Sequence, residues 1–142
     1  MTHEEIAAHL GVQELYSRYC FAYDDDDVEL FADCFVAEGV FAVGAREFRG
    51  DEIGQIASRH GRPRHQYLNL WVREVDGDRA VSSAYFFVTE RSTGQTVGYG
   101  NYDDTVRRGD DGLWRFVRRQ VTFLWQTPEE SALVAQVIGT QS

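Results

Sequence analysis

Residues 64–89 read RHQYLNLWVREVDGDRAVSSAYFFVT, two runs of alternating polar and apolar residues on either side of an Asp-Gly-Asp turn. A period of two is typical of β-strands, and a short turn between two such runs favours a hairpin. Further turn signals follow at residues 92–94 and 110–112, where the sequence reads Ser-Thr-Gly and Asp-Asp-Gly. From His65 onward we therefore predict four long strands in an antiparallel meander.

On the amino-terminal side of this meander, the apolar residues have helical spacing. Apolar residues recur every three or four positions over about residues 4–23, which predicts an amphipathic helix with an aromatic face. A second helix over 27–39 would be capped by the aspartate that begins it, and residues 40–48 predict a short strand. Gly50-Asp51-Glu52 opens a third helix, which Arg62-Pro63-Arg64 stops. After the meander, residues 128–137 predict a short last helix.

Helices followed by a meander define an α+β class, in which the helices lie on one face of the sheet to bury their apolar sides. For residues 1–142 the pattern predicts a single domain of this class with an antiparallel sheet. If the sheet curls around the helices, a pocket results. A hydrophobic content of 43% is sufficient for a core, and an aromatic content of 13% suits a core and a ligand pocket equally.

The chain is acidic, with a formal net charge of −9 and a pI near 4.8. This charge repels phosphate backbones and anionic lipids, so nucleic acid and membrane surfaces are not expected partners. The sequence has no run of about 18 apolar residues and no basic, signal-like start, and we expect a cytoplasmic protein. Cys20 and Cys34 fall in apolar helical patterns, which favours buried free thiols over a disulfide.

Asp24 is the first candidate for a catalytic role. It follows Cys20 by four residues and Tyr16 by eight, so it continues the inward row of the first helix. A carboxylate in aromatic surroundings needs a hydrogen-bond donor, and this requirement makes Asp24 a functional candidate. The alternative is that Asp24 is one more solvated charge in the acidic run of residues 24–27. The pattern alone does not separate the two interpretations.

His65 begins the first strand of the meander, where alternation places Tyr67, Asn69 and Trp71 on the same face. An imidazole titrates near neutral pH, so a neutral His65 that donates a hydrogen bond to Asp24 could remove a proton from a substrate. The alternative is that His65 lies in a solvated rim at the end of the strand, which is common for a lone histidine.

On the third strand of the meander, alternation places Asp103 on one face and Tyr102 and Asp104 on the other. The sequence does not show which of these faces is inward. Either aspartate could line the pocket or pair with Arg115 or Arg118 on the next strand. No Cys or His pair has the spacing of a metal site, and no serine lies in a nucleophile elbow. Neither a metal nor an organic cofactor is expected.

Several short motifs follow one another along most of the chain: LYSRY at 15–19, AYD at 22–24, Phe35, FRG at 48–50, RH at 64–65, VDGD at 75–78, GNYDD at 100–104 and GLWRF at 112–116. In order and spacing, this series resembles the SnoaL-like group of the nuclear transport factor 2-like superfamily. The resemblance implies a cone-shaped, curved antiparallel sheet wrapped around three amino-terminal helices. In scytalone dehydratase-like and hexachlorocyclohexane dehydrochlorinase-like members an Asp–His dyad serves elimination chemistry, and Asp24 and His65 match its two positions.

The resemblance implies a small-molecule lyase or isomerase, of the dehydratase or cyclase type, that acts on a small hydrophobic cyclic substrate. His65 would abstract a carbon-bound proton, while Asp24 orients the imidazole and stabilises its charge. Candidate substrate-binding residues are Tyr19, Tyr23, Tyr67, Asn69, Trp71 and Asp103. Tyr23 matches the tyrosine that precedes the aspartate in scytalone dehydratase-like members, whereas Asp103 falls roughly where those members carry an asparagine.

The same superfamily also includes members without catalytic activity, such as the small subunits of ring-hydroxylating dioxygenases. The alternative function is therefore a ligand-binding or assembly module, in which Asp24 and His65 form a structural hydrogen bond. Exposed sheet faces in such cones commonly pair, and by resemblance we expect a homodimer or a homotrimer.

Overall fold

The computed structural model describes residues 1–58, 63–137 and 139, and these residues contain four helices and six strands. The helices are α1 (His3–Asp24), α2 (Val28–Asp33), α3 (Asp51–Ile56) and α4 (Pro128–Val137). The strands are β1 (Phe35–Val43), β2 (Arg46–Arg49), β3 (Arg64–Asp76), β4 (Arg79–Thr89), β5 (Thr96–Arg108) and β6 (Trp114–Gln126). Helices come first and long strands follow, as the sequence predicts.

The six strands form one sheet in the order β2-β1-β6-β5-β4-β3. Strands β3 to β6 are antiparallel neighbours, which confirms the predicted meander. Strand β1 runs parallel to β6, with Phe41 beside Arg119, so the sheet is mixed rather than wholly antiparallel. The sheet is curved and unclosed, since β2 and β3 remain separate edges, and the predicted α+β class is confirmed.

The second helix is shorter than the sequence predicts. Helix α2 ends before Phe35, which already belongs to β1 and lies opposite Phe116 of β6. The predicted strand over 40–48 is a hairpin of β1 and β2, in which Gly44 takes a φ of 57° at the turn. Short apolar runs fit a helix and a strand equally well, and here the pairing with β6 decides in favour of the strand.

The core lies between α1 and the inner face of the sheet. Tyr16 and Tyr19 of α1 are almost wholly buried, and the ring of Tyr19 contacts the rings of Tyr23, Phe31 and Phe116. Aromatic side chains bury large apolar areas and prefer such tilted and edge-to-face contacts. The aromatic face predicted for the first helix is therefore the face that packs against the sheet.

Capping residues mark the starts of α1 and α2. Thr2 and Glu5 form a capping box at the start of α1, and Asp27 caps α2 by accepting a hydrogen bond from the backbone N–H of Leu30. A cap of this kind stabilises a helix by about 1 kcal/mol. The predicted cap at Asp27 is confirmed, and it leaves Asp24 as the last residue of α1.

Cys20 and Cys34 are both buried and form no disulfide, as the sequence predicts. Burial raises the pKa of Cys20 to about 12 and that of Cys34 to about 11, so both thiols stay protonated at neutral pH. In the part of the chain that the structure describes, no helix has both the length and the apolar composition needed to cross a bilayer.

Strand β3 departs from regular alternation in two places. Asn69 and Glu74 take φ angles of 57° and 53°, and the pairing of β3 with β4 shifts its register around each of them. A β-bulge adds one residue to a strand, so side chains beyond it exchange the faces of the sheet. His65 and Tyr67 therefore lie on the inner face, whereas Trp71, beyond the first bulge, lies on the outer face and is exposed.

Candidate active site

The carboxylate of Asp24 and the imidazole of His65 form a hydrogen-bonded pair where α1 meets β3. His65 Nδ1 lies 2.7 Å from Asp24 Oδ1, and the backbone N–H of His65 donates to the same carboxylate at 3.0 and 3.2 Å. The side chains of Asp24 and His65 are only 8% and 9% exposed. Two separate contacts thus hold the start of β3 against the end of α1.

The hydrogen bond to Asp24 favours one form of the imidazole. When the Nδ1–H of a neutral ring donates a hydrogen bond to the carboxylate, the lone pair of the imidazole is on Nε2, which is the arrangement that a general base requires. Tyr23 stacks on the ring, with 4.2 Å between the centroids and 28° between the planes, and so fixes its orientation. Arg91 donates to the backbone carbonyl of Asp24 and ties the same junction to the segment after β4.

The imidazole of His65 forms part of the wall of a small, partly enclosed cavity. The other polar residues of this wall are Tyr19, Tyr23, Tyr102 and Glu130, and its remaining residues are aliphatic or phenylalanine. The volume of the cavity is about 30 Å³, room for roughly one or two water molecules. Helix α4 closes one side of the cavity with Glu130 and two valines.

A buried charge pair supports this wall from inside the sheet. Arg119 donates two hydrogen bonds to Asp104, both 2.9 Å long, and both side chains have an exposure of 0%. The hydroxyl of Tyr16 also donates to Asp104 and lies 3.1 Å from the hydroxyl of Ser82. Burial raises the pKa of Asp104, but the Arg119 cation and the Tyr16 hydrogen bond oppose that shift.

The guanidinium of Arg119 also contacts the rings that line the cavity. Its Cζ atom lies 3.6 Å from the centroid of the Tyr102 ring and 4.3 Å from that of Tyr19. Burial acts to lower the pKa of Arg119, but the Asp104 carboxylate raises it and prevails. Arg119 is therefore a permanent cation beneath the aromatic wall.

The structure brings some of the predicted substrate-binding residues to the cavity and not others. Tyr19 and Tyr23 lie in its wall beside His65. Tyr67 is on the inner face but outside the wall, and its hydroxyl contacts the Ser17 hydroxyl and the backbone carbonyl of Gln13 on α1, each at 3.3 Å.

The expectation that Asn69 and Trp71 share the inner face with His65 is wrong, because the bulge at Asn69 reverses the alternation. Asp103 also lies on the outer face, where it accepts a hydrogen bond from Ser83 at 2.9 Å. These residues line a shallow depression on the far side of the sheet from the cavity. On β5 the inward face carries Tyr102 and Asp104, and the partner of Asp104 is Arg119 rather than the predicted Arg115 or Arg118.

Three residues of the site were missed by reasoning from the sequence: Tyr102, Arg119 and Glu130. Arg119 lies directly opposite Asp104 in the register of β5 and β6, so knowing the inward face of β5 would have been enough to find it. Glu130 shares one face of α4 with Val134 and Val137 at helical spacing, and this spacing could have placed it in the wall.

Tyr102 is unusual among the polar residues of the wall. Its hydroxyl is buried and has no hydrogen-bond partner among the residues that the structure describes. An unsatisfied buried hydroxyl of this kind costs about 1–3 kcal/mol of folding free energy.

Within residues 1–58, 63–137 and 139, no three His, Cys, Asp or Glu side chains are grouped so that they could hold a metal ion.

Residues 4–120 match the SnoaL-like domain family. This chain belongs to that family. Among solved structures, this SnoaL-like chain is similar to a variant of a Mycobacterium tuberculosis protein of unknown function. The two are 31% identical, the match covers 92% of this chain and 83% of that chain, and the TM-score is 0.76. No curated protein sequence is significantly similar to the SnoaL-like chain.

Two further solved structures share the fold at lower identity. A proposed scytalone dehydratase from Novosphingobium aromaticivorans is 20% identical, with 89% of this SnoaL-like chain and 91% of that chain covered and a TM-score of 0.76. A hexachlorocyclohexane dehydrochlorinase, LinA type 2, is 18% identical, with 88% and 90% covered and a TM-score of 0.68. At these identities the likeness is one of fold alone.

Proposed function

We propose that this SnoaL-like protein is a small-molecule lyase or isomerase of the dehydratase type, in which His65 is the general base and Asp24 its orienting partner. The observation that carries the proposal is the 2.7 Å contact between His65 Nδ1 and Asp24 Oδ1, on an imidazole that lines an aromatic cavity. The names of two structural neighbours, a dehydratase and a dehydrochlorinase, agree with elimination as the reaction class.

The proposed reaction needs only the dyad and a hydrophobic pocket. His65 Nε2 accepts a proton from a carbon atom of the substrate, and Asp24 stabilises the imidazolium that results. The electron pair of the broken C–H bond forms a C=C bond, and the leaving group departs with its own bonding pair. When the leaving group is hydroxide, the imidazolium returns the proton to it, water is released and His65 is restored.

Access to the dyad requires helix α4 to move. A cavity of about 30 Å³ is much too small for a cyclic substrate, since ligand pockets usually measure about 300–1,000 Å³. Glu130 is the one buried residue of α4, so the helix has little packing to lose when it shifts away from the wall. Opening at α4 would enlarge the cavity on the side that faces Glu130, Val134 and Val137.

The direct test is turnover of cyclic hydroxyketones and halides by the His65→Gln and Asp24→Asn variants. Each substitution should lower turnover on the order of a hundredfold, because each removes a member of the general-base pair. Asp25→Asn is the matched control, since Asp25 is adjacent in sequence, exposed, and outside the cavity wall. A folded His65→Gln variant with full activity would falsify the proposal.

The second candidate function is a non-catalytic module that binds a ligand or assembles with a larger enzyme. The observation that favours it is the exposed aromatic surface on the outer face of the sheet, which includes Trp71, Tyr85, Tyr99 and Trp125. Such surfaces commonly mark protein interfaces. Purification as a stable homo-oligomer that turns over a substrate without a larger partner would rule out this alternative.

A further inference from the structure

The hydroxyl of Tyr102 is a buried donor with no hydrogen-bond partner within residues 1–58, 63–137 and 139. The neighbouring phenol, Tyr16, shows the ordinary situation, because its hydroxyl bonds both Asp104 and Ser82. Buried polar atoms in folded proteins are nearly always paired, so each exception needs a reason. Tyr102 lies in the same cavity wall as His65.

The ring of Tyr102 is held too firmly to find another partner inside the protein. Phe86 stacks on it at 4.5 Å and 17°, the Arg119 guanidinium lies 3.6 Å from its centroid, and Tyr19 meets it at 5.9 Å. With the ring fixed, only the O–H bond can rotate. A hydrogen-bond acceptor must therefore come to this hydroxyl, and the cavity is the space through which it can arrive.

Two opposing influences keep this hydroxyl a good donor. Burial raises the pKa of Tyr102 well above its ordinary value, so the phenol stays protonated, while the Arg119 cation opposes that shift. A cation against the ring stabilises negative charge on the phenol oxygen. The hydrogen bond from this phenol therefore becomes stronger as its acceptor gains negative charge.

We propose that the Tyr102 hydroxyl binds a carbonyl oxygen of the substrate, and that the substrates are cyclic ketones with a leaving group β to the carbonyl. The proposal rests on the function proposed above. When His65 removes the proton from the α carbon, the C–H electron pair forms a C=C bond to the carbonyl carbon, and the carbonyl π pair moves onto the oxygen. Tyr102 stabilises this enolate oxygen by its hydrogen bond.

In the second half of the reaction the enolate collapses and expels the leaving group. The enolate oxygen re-forms the C=O bond, and the former C–H pair becomes a C=C bond between the α and β carbons. The leaving group departs with its bonding pair and takes the proton from the His65 imidazolium. The products are an unsaturated cyclic ketone and the protonated leaving group, and both residues are restored.

The test compares the variants Tyr102→Phe and Tyr16→Phe with two ligands of matched ring system, 1-indanone and indane, by NMR titration. The variant Tyr102→Phe should bind 1-indanone about five- to tenfold more weakly than the wild type, with the affinity for indane unchanged. Its melting temperature should equal or exceed that of the wild type, since an unpaired hydroxyl is removed. Tyr16→Phe should melt lower, because it loses the bonds to Asp104 and Ser82.

Either of two results would overturn the proposal. If Tyr102→Phe melts as much below the wild type as Tyr16→Phe does, the hydroxyl is already paired within the protein. If the affinity for 1-indanone does not fall relative to that for indane, the hydroxyl does not bind the carbonyl. A His65→Gln variant that stays active while Tyr102 still discriminates between the ligands would support the role of Tyr102 and refute only the proposed base.

Discussion

Arg119 carries a positive charge into an interior built mainly of aromatic rings. Its guanidinium lies within 4.4 Å of the centroids of four rings, and Asp104 is the carboxylate that neutralises it. The ring faces attract the cation, but they do not replace the hydration that it loses on burial. The interior beneath the cavity therefore depends on both members of the pair.

Removing the charge of Asp104 should be strongly destabilising. We predict that Asp104→Asn lowers the free energy of unfolding by about 3–5 kcal/mol, because it leaves a buried, uncompensated guanidinium. Asp103→Asn, one residue away on the exposed face, should change it by less than about 0.5 kcal/mol. Urea denaturation of the two variants measures the difference, and equal effects would contradict the prediction.

The two buried cysteines should make the stability of the fold depend on pH. Their pKa values of about 12 and 11 lie above the ordinary 9.0, so the folded state holds the thiol protons more tightly than the unfolded state does. This stability is present below pH 9 and is lost as the pH rises through 11 and 12. We expect neither thiol to react with a disulfide reagent in the native protein at pH 8.

Urea should expose both thiols to the same reagent. A variant with Cys20→Ala and Cys34→Ala should lose less stability between pH 9 and 11 than the wild type does. Rapid labelling of either thiol in native protein at pH 8 would show that its burial is not maintained in solution.

At the scale of the strand, the bulge at Asn69 decides which side chains reach the cavity. Its φ of 57° lies in the left-handed region, which asparagine and glycine tolerate and β-branched residues avoid. We predict that Asn69→Val lowers the free energy of unfolding by about 1–2 kcal/mol, while Asn69→Gly leaves it nearly unchanged. Equal stability of the two variants in chemical denaturation would be evidence against a left-handed residue here.

Helix α1 and the meander could be predicted from the sequence because their patterns are local. The spacing of three and four residues appears within α1 itself, and the alternation within each strand, so neither needs knowledge of distant partners. The parallel pairing of β1 with β6 could not be predicted in this way. It joins Phe35 to Phe116, and nothing near Phe35 in the sequence distinguishes a strand from the end of a helix.

The candidate site could be predicted only in part, for the same reason. Asp24 lies within the regular helix α1, and His65 precedes the first bulge of β3, so helical register and strand alternation place both on the inner face. Trp71 lies beyond the bulge, where alternation gives the wrong face. Tyr102 and Arg119 lie on strands whose two faces are both partly polar, and only the packing of the whole sheet shows which face is buried.

At the scale of the whole molecule, we predict that a second copy of the chain packs on the outer face of the sheet. Trp71, Tyr85 and Tyr99 are exposed on it, and Trp125 stacks on Tyr99 at 6.0 Å. The same face carries Arg73 and Asp103, both bonded to Ser83. A face with both charges can pair Arg73 with Asp103 of a copy related by a two-fold axis.

We predict a homo-oligomer that Trp125→Asp disrupts. A carboxylate in the centre of an aromatic interface would be desolvated without a partner, so the variant should be monomeric in light scattering at micromolar concentration. Phe21→Asp is the control, since Phe21 is similarly exposed but lies on α1. A wild-type protein that is monomeric at these concentrations would exclude this use of the outer face.

The parallel pairing of β1 with β6 also has a consequence for how the protein is made. The ribosome releases residues 35–43 long before residues 114–126, so β1 must wait for most of the chain before its partner appears. Contacts between residues so distant in sequence form slowly, and unpaired strand edges promote aggregation. Until β6 emerges, the nascent chain exposes the unpaired edge of β1. We therefore expect this interval to be the one in which the chain depends most on chaperones.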